Sequence, residues 1–194
     1  MQSENWKTVS SERRFADRNL EVVTDCVQTP GHPAPRVWTI VHRKPAVVIA
    51  PMTSDGKVVL VRQERIPIEQ AIWEMPSGQI DDRNSDPDNV KNVALRELRE
   101  ETGYELPPSG ELISLGYFFS SPGFTDERGY FFLARPVRPC ADGPKREEGE
   151  SILDCRGFSN DEIRRMIAQN EIRDANTLGI CAALVARGLL SLAA

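Results

Sequence analysis

Only four cysteines, Cys26, Cys140, Cys155 and Cys181, and two histidines, His32 and His42, occur in the chain. No cysteines stand at a C-x-x-C spacing and no histidine sits near them at zinc-ligand spacing, which excludes a zinc site and a disulfide framework. What remains is isolated thiols in a reducing compartment. His32 lies among prolines and His42 at a strand end, and both read as surface residues. Positive charge is in deficit, with 24 Lys and Arg against 29 Asp and Glu and a net charge of −5. A nucleic-acid groove needs a basic face, so no nucleic acid is expected as a partner. No apolar run approaches the length of a membrane span, and MQSENWKTVSSERRF lacks the apolar core of a secretory signal. Repeats and low-complexity tracts are missing. The expectation is a soluble, cytoplasmic protein without a membrane partner. Its 194 residues, 40% of them hydrophobic, suffice for one globular domain with room for an added subdomain.

β-branched residues concentrate in LEVVTDCV (20–27) and RVWTIVH (36–42), which read as strands around the turn-rich TPGHPAP. PAVVIAPM (45–52) and KVVLVRQ (57–63) flank an Asp-Gly turn, a hairpin signal. AIWEMP (71–76) reads as a short strand, with Trp73 in the core, and the polar SGQIDDRNSDPDN (77–89) as a loop. Val90, Val93, Ala94 and Leu98 then recur at helical spacing, with Asp88 or Asn89 as cap and Gly103 at the C-terminal end. LISLGYFF (112–119), YFFLARPV (130–137) and ILDCRGF (152–158) read as strands separated by polar loops. Ser159 caps one further helix, and Asp174 or Asn176 starts a last one through TLGICAALVARGLL. Strands, a helix, strands and then helices make a mixed α+β chain.

One stretch of this helix poses an electrostatic problem. RELREETG (96–103) places Glu97 and Glu101 one turn apart, with Glu100 beside them. Like charges at this spacing repel. They also stand at the C-terminal end of the helix, where the backbone dipole is negative. A solvated face of Arg–Glu pairs is one answer. A bound cation is the other: Mg²⁺ and Mn²⁺ take oxygen ligands, often one or two carboxylates plus substrate phosphates.

These residues carry a resemblance. R-E-L-R-E-E-T-G-Y (96–104) is similar to the second half of the Nudix box, G-x5-E-x7-R-E-U-x-E-E-x-G-U with U apolar, and E-M-P-S-G (74–78) resembles the segment that opens it. The interval from Gly78 to Arg96 is four residues longer than the box, and Asp88 stands where the family has Glu. The resemblance implies that Asp88 pairs with Arg96. V-R-Q-E-R (61–65) and S-P-G-F-T-D-E (121–127) are similar to segments of the ADP-ribose pyrophosphatase and nucleotide-sugar hydrolase subgroup.

What the resemblance implies is a Nudix-type α/β/α sandwich with a mixed central sheet over 45–194, and a strand-rich extension over 1–44 that helps form a homodimer. It implies Mg²⁺ (or Mn²⁺) held by Glu97 and Glu101, with Glu100 completing the cluster and the Ser77 carbonyl as a further ligand. Arg65 would hold the diphosphate, Glu74 would contact substrate or orient Arg65, and Gly78 lies in the binding turn. Among loop carboxylates, Glu150 would reach a metal and Glu148 would activate water, with Glu127 as the competing base. Trp38 either stacks on a nucleobase or serves a core or dimer interface. The implied reaction is hydrolysis of a small nucleoside diphosphate linked to another moiety, ADP-ribose first, with GDP-mannose, another nucleotide sugar or a dinucleotide as alternatives. A domain that binds nucleotides without hydrolysis is a different class, which loss of box carboxylates would favour; here all three are present.

Overall fold

The computed structural model describes residues 6–81, 86–146 and 149–192. Two sheets organise them. The first has three antiparallel strands in sequence order, β1 (Lys7–Ala16), β2 (Leu20–Thr29) and β3 (His32–Arg43). β1 is polar, carries no apolar alternation, and is exposed along its whole length. It is a strand because its backbone pairs with β2, a cause that sequence pattern does not display. β3 begins at His32, inside the stretch read as a turn. Pro35 is accommodated because β3 is an edge strand of this sheet, where an outward-facing position needs no amide for a neighbouring strand.

The second sheet is mixed. β4 (Ala46–Thr53) and β5 (Val58–Arg65) join through the expected turn, where Gly56 has φ +80°. A short 3₁₀ turn (Ile66–Ile68) leads to β6 (Gln70–Glu74) and β7 (Ser77–Gln79). After helix α1 (Pro87–Thr102) come β8 (Tyr104–Glu105), β9 (Glu111–Phe119), β10 (Arg128–Pro139) and β11 (Ile152–Phe158), then helices α2 (Asn160–Ala168) and α3 (Ala175–Ala186). The path runs β11-β5-β4-β10-β8, with β6 on β5, β7 on β4 and β9 on β10. β4 and β10 are parallel neighbours, whereas the other pairings are antiparallel.

The period of two along β4 separates the layers. Val47 and Ile49 face α1, packing with Val90, Ala94, Leu98 and Phe132. Val48 and Ala50 face the other way, into a cluster with Leu60, Leu133, Ile163, Ile180 and Leu184 that seats α2 and α3. The result is the expected α/β/α layering of an α+β fold. Among the described residues, no helix is long and apolar enough to cross a membrane.

Three local expectations are corrected. Residues 77–79 are a strand and not a loop: Val48 pairs with Ser77 and Val47 with Gly78. The α1 cap is Asp86, whose carboxylate accepts from the amides of Asp88 and Asn89 at 2.9 and 2.8 Å. Pro87 follows at the first helical position, where its missing N–H costs nothing. Asp88 is exposed and pairs with Lys91 at 3.0 Å rather than with Arg96, since it projects from the solvent side of the first turn.

Candidate active site

The buried stripe of α1 consists of Val90, Ala94, Glu97, Leu98, Glu101 and Thr102. Helical period carries the apolar contact through Leu98 and then seats two carboxylates in the same stripe, at 5% and 2% exposure. Two partners shape their pocket. The Ser77 amide donates to Glu101 Oε2 at 3.0 Å. Gly78 lies against Glu97, so closely that a Cβ there would fall 2.0 Å from the Glu97 Cδ. The start of β7 thus touches both carboxylates, and at Ser77 the contact seen is an N–H to Glu101.

Glu150 arrives from the segment before β11. Carboxylate oxygens of Glu97, Glu101 and Glu150 all lie within 4.8 Å of one another. Glu100 does not join this trio among the described residues. It is offset around the helix and faces Arg96 at 3.4 Å, while the third carboxylate grouped with Glu97 and Glu101 is Glu150. Arg96 also reaches Glu97 at 2.6 Å. Glu148 lies outside the described residues.

Burial drives the electrostatics. The Glu101 carboxyl is pushed up to about 9, first by desolvation, then by the charges of Glu150 and Glu97; the Ser77 amide and Arg65 oppose this only in part. Two buried carboxylates and a half-buried third, hard oxygen donors whose charge is incompletely compensated, fit a Mg²⁺ or Mn²⁺ ion. The dipole problem is met by the chain itself. Gly103, at φ +71°, donates to the Arg99 carbonyl at 3.0 Å. The segment after β10 then crosses the helix end, with Lys145 N–H on the Glu100 carbonyl at 3.1 Å and Arg146 Nε on that of Glu101 at 3.4 Å. The orphan carbonyls are capped, and a cation stands where the dipole favours one.

Beside the cluster, Arg65 grips Glu74 with Nε–Oε1 at 2.9 Å and Nη2–Oε2 at 2.7 Å. Glu74 is buried and its carboxyl is raised by desolvation, which the Arg65 pair counteracts. The fork aims a partly exposed guanidinium, the geometry that suits phosphate oxygens. Below it, fully buried Thr177 accepts from the Met75 amide at 2.8 Å and donates to Asp174, the α3 cap, at 2.8 Å. Thr177 and Arg146 escaped sequence reasoning. Each acts on backbone groups distant in sequence, and no spacing rule marks such partners.

Glu127 and Trp38 lie at the other sheet. Glu127 pairs with Arg43 at 3.1 Å and accepts from Ser120 at 2.7 Å. Its loop docks on β3 through Val41 N–H to the Phe124 carbonyl (2.8 Å) and His42 to Asp126 (2.7 Å). Trp38 donates from Nε1 to the Gly123 carbonyl at 2.9 Å. With Trp6, Ile40, Pro122 and Phe124 it lines a mainly apolar pocket of about 430 Å³.

Residues 42–178 match the family description "NUDIX domain". The chain is 30% identical over 177 residues to an ADP-ribose pyrophosphatase of Bacillus subtilis (strain 168), covering 91% of each chain. It is 34% identical over 173 residues to a methanol dehydrogenase activator of Bacillus methanolicus, covering 89% of this chain and 88% of that one. Its fold is similar to that of a crystal structure described as ADP compounds hydrolase, with TM-score 0.72, 19% identity, and coverage of 98% and 100%.

Proposed function

Since the chain belongs to the Nudix family of pyrophosphohydrolases, as its matched domain and its relatives show, we propose that it hydrolyses the diphosphate bond of ADP-ribose, giving AMP and ribose 5-phosphate, in a Mg²⁺-dependent reaction. The carrying observation is the Glu97–Glu101–Glu150 cluster beside the Arg65–Glu74 fork. Glu97, Glu101 and Glu150 would hold the ion, with the Ser77 carbonyl in support. A divalent cation there neutralises diphosphate charge and lowers the pKa of bound water. Arg65 binds the diphosphate, Glu74 fixes the direction of its guanidinium, and Gly78 leaves room for Glu97 to stay in place. Glu148 takes the proton of the attacking water, as the loop base.

Residues 1–44 form the dimerising extension of this reading and 45–194 the catalytic domain. A ten-residue strand exposed from end to end buries too little to stand alone, and a second copy of the chain would cover it. Trp38 in the pocket under the 122–126 loop supplies an aromatic face for a nucleobase. Four free thiols agree with a reducing, cytoplasmic setting.

The test is a substrate panel with Mg²⁺: ADP-ribose, GDP-mannose, ADP-glucose and NADH, read by phosphate release after phosphatase coupling. ADP-ribose is expected to give the highest kcat/KM. Preference for GDP-mannose would move the substrate within the family, because the box reads the diphosphate and not the base. No turnover of any of the four would overturn the enzymatic reading.

A further inference from the structure

Glu150 belongs to the acidic cluster, but it is not on the helix that carries the other two carboxylates. It stands in the segment between β10 and β11, exposed on both sides of it: Gly149 and Ser151 are both exposed. A carboxylate on an open segment samples many positions, and a ligand held loosely binds a cation weakly. Something must hold that segment in place.

Among the described residues, Lys145, Ser151 and Arg146 tie it down. Upstream, the Lys145 amide is bonded to the Glu100 carbonyl at the end of α1, at 3.1 Å. Downstream, the Ser151 carbonyl accepts from the Glu64 amide at 2.9 Å, which starts the β11–β5 pairing. The third is Arg146. Its Nε donates to the Glu101 carbonyl at 3.4 Å, and its Nη1 donates to the Ile152 carbonyl at 3.0 Å. One planar guanidinium therefore joins the last turn of the carboxylate helix to the first residue of β11. The bond from Arg146 to Ile152 also joins the two ends of the stretch that carries Glu150. Holding the two ends together removes much of the freedom between them.

We propose that Arg146 is a positioning residue, which holds Glu150 against Glu97 and Glu101 by bridging the Glu101 and Ile152 carbonyls. The inference rests on the metal-site reading of that cluster. It assigns Arg146 no contact with substrate. The bridge needs two donors at a fixed separation, which the guanidinium has and an ammonium lacks. Charge at the helix end is a different role, and lysine would fill it.

The test is Mn²⁺ binding to the full chain without substrate, followed by electron paramagnetic resonance, in wild type, Arg146→Ala, Arg146→Lys, Glu150→Gln and Glu101→Gln. Arg146→Ala is expected to weaken Mn²⁺ about tenfold, and Arg146→Lys to weaken it similarly. The Arg146→Ala/Glu150→Gln double variant should bind as Glu150→Gln does, because the bridge acts only through Glu150. Should Arg146→Ala fail to fold, Arg146→Met keeps the stem and takes its place in each comparison. Wild-type affinity in the alanine or methionine variant overturns the proposal. So does full rescue by lysine, or additive losses in the double variant. If Glu101→Gln binds Mn²⁺ as well as wild type, the metal-site reading itself fails; if it does not, a silent Arg146 variant sinks this inference alone.

Discussion

Gly78 and Glu97 are in contact without room for a methyl group between them: a Cβ on Gly78 would sit 2.0 Å from Cδ and 2.2 Å from Oε1 of Glu97. Gly78 is paired with Val47 in the sheet, so its backbone cannot retreat. Gly78→Ala should therefore displace Glu97 by about an ångström or more and lower kcat about 10²-fold, with the sheet intact by circular dichroism. An alanine variant with near-normal kcat would show that Glu97 is not needed where it stands.

Glu101 makes stability depend on pH. Its carboxyl sits at about 9 in the folded, metal-free chain against an ordinary value of 4.5, with desolvation as the main cause. Between those values the folded chain holds a proton that the unfolded chain has lost. Stability should then be fully present below the unfolded value and fall as pH rises toward 9, by up to about 1.4 kcal/mol per pH unit. Thermal unfolding in EDTA from pH 5 to 9 measures this. Glu101→Gln should remove most of the slope and lower kcat by orders of magnitude. Added Mg²⁺ binds the ionised form, so it should raise Tm more at pH 9 than at pH 6.

Arg65 and Glu74 separate binding from folding. Arg65→Lys keeps the charge and loses the fork, so KM for ADP-ribose should rise about tenfold with a smaller change in kcat. Arg65→Ala leaves Glu74 buried without its partner. It should cost about 2–3 kcal/mol, less than the ~3–5 of a fully buried pair, because the Arg65 side chain is 39% exposed. Denaturant unfolding of both variants checks this.

Thr177 supports the turn from behind. Thr177→Val is nearly the same size but removes the acceptor of the Met75 amide, a buried bond. The expected loss is about 1–3 kcal/mol. Thr177→Ser should restore most of it, and equal stability of the valine and serine variants would refute the role.

The loop carboxylates divide by readout. Glu150→Gln should weaken Mn²⁺ binding and lower kcat together. Glu148→Gln should lower kcat and leave Mn²⁺ affinity unchanged, as expected of a base. Glu127→Gln should do least to kcat, since Glu127 is committed to Arg43 and Ser120. The largest kcat loss at Glu127 would reverse these assignments.

Local pattern carried much of the fold. β4 and β5 follow β-branched runs, and the Asp-Gly turn between them fell where expected. Gly103, Ser159 and Asp174 sit at the helix ends where their backbone and side-chain preferences put them. β1, β7 and β8 were not legible, because each exists through backbone pairing to a neighbouring strand. Asp86 was missed as a cap because Asp88 and Asn89 offer the same chemistry two and three residues on.

The sequence by itself determined that Glu97 and Glu101 share one helix face, since a period of 3.6 leaves no other arrangement. It also placed them at the negative end of the dipole and set Gly103 as the stop. Tertiary structure decided which third carboxylate joins them. That choice went to Glu150 over Glu100 because a position three residues along the helix turns away toward Arg96, while a segment pinned at Lys145, Arg146 and Ser151 brings a distant side chain in. The crowding of RELREETG is a property of the sequence, and its relief is a property of the packing around it.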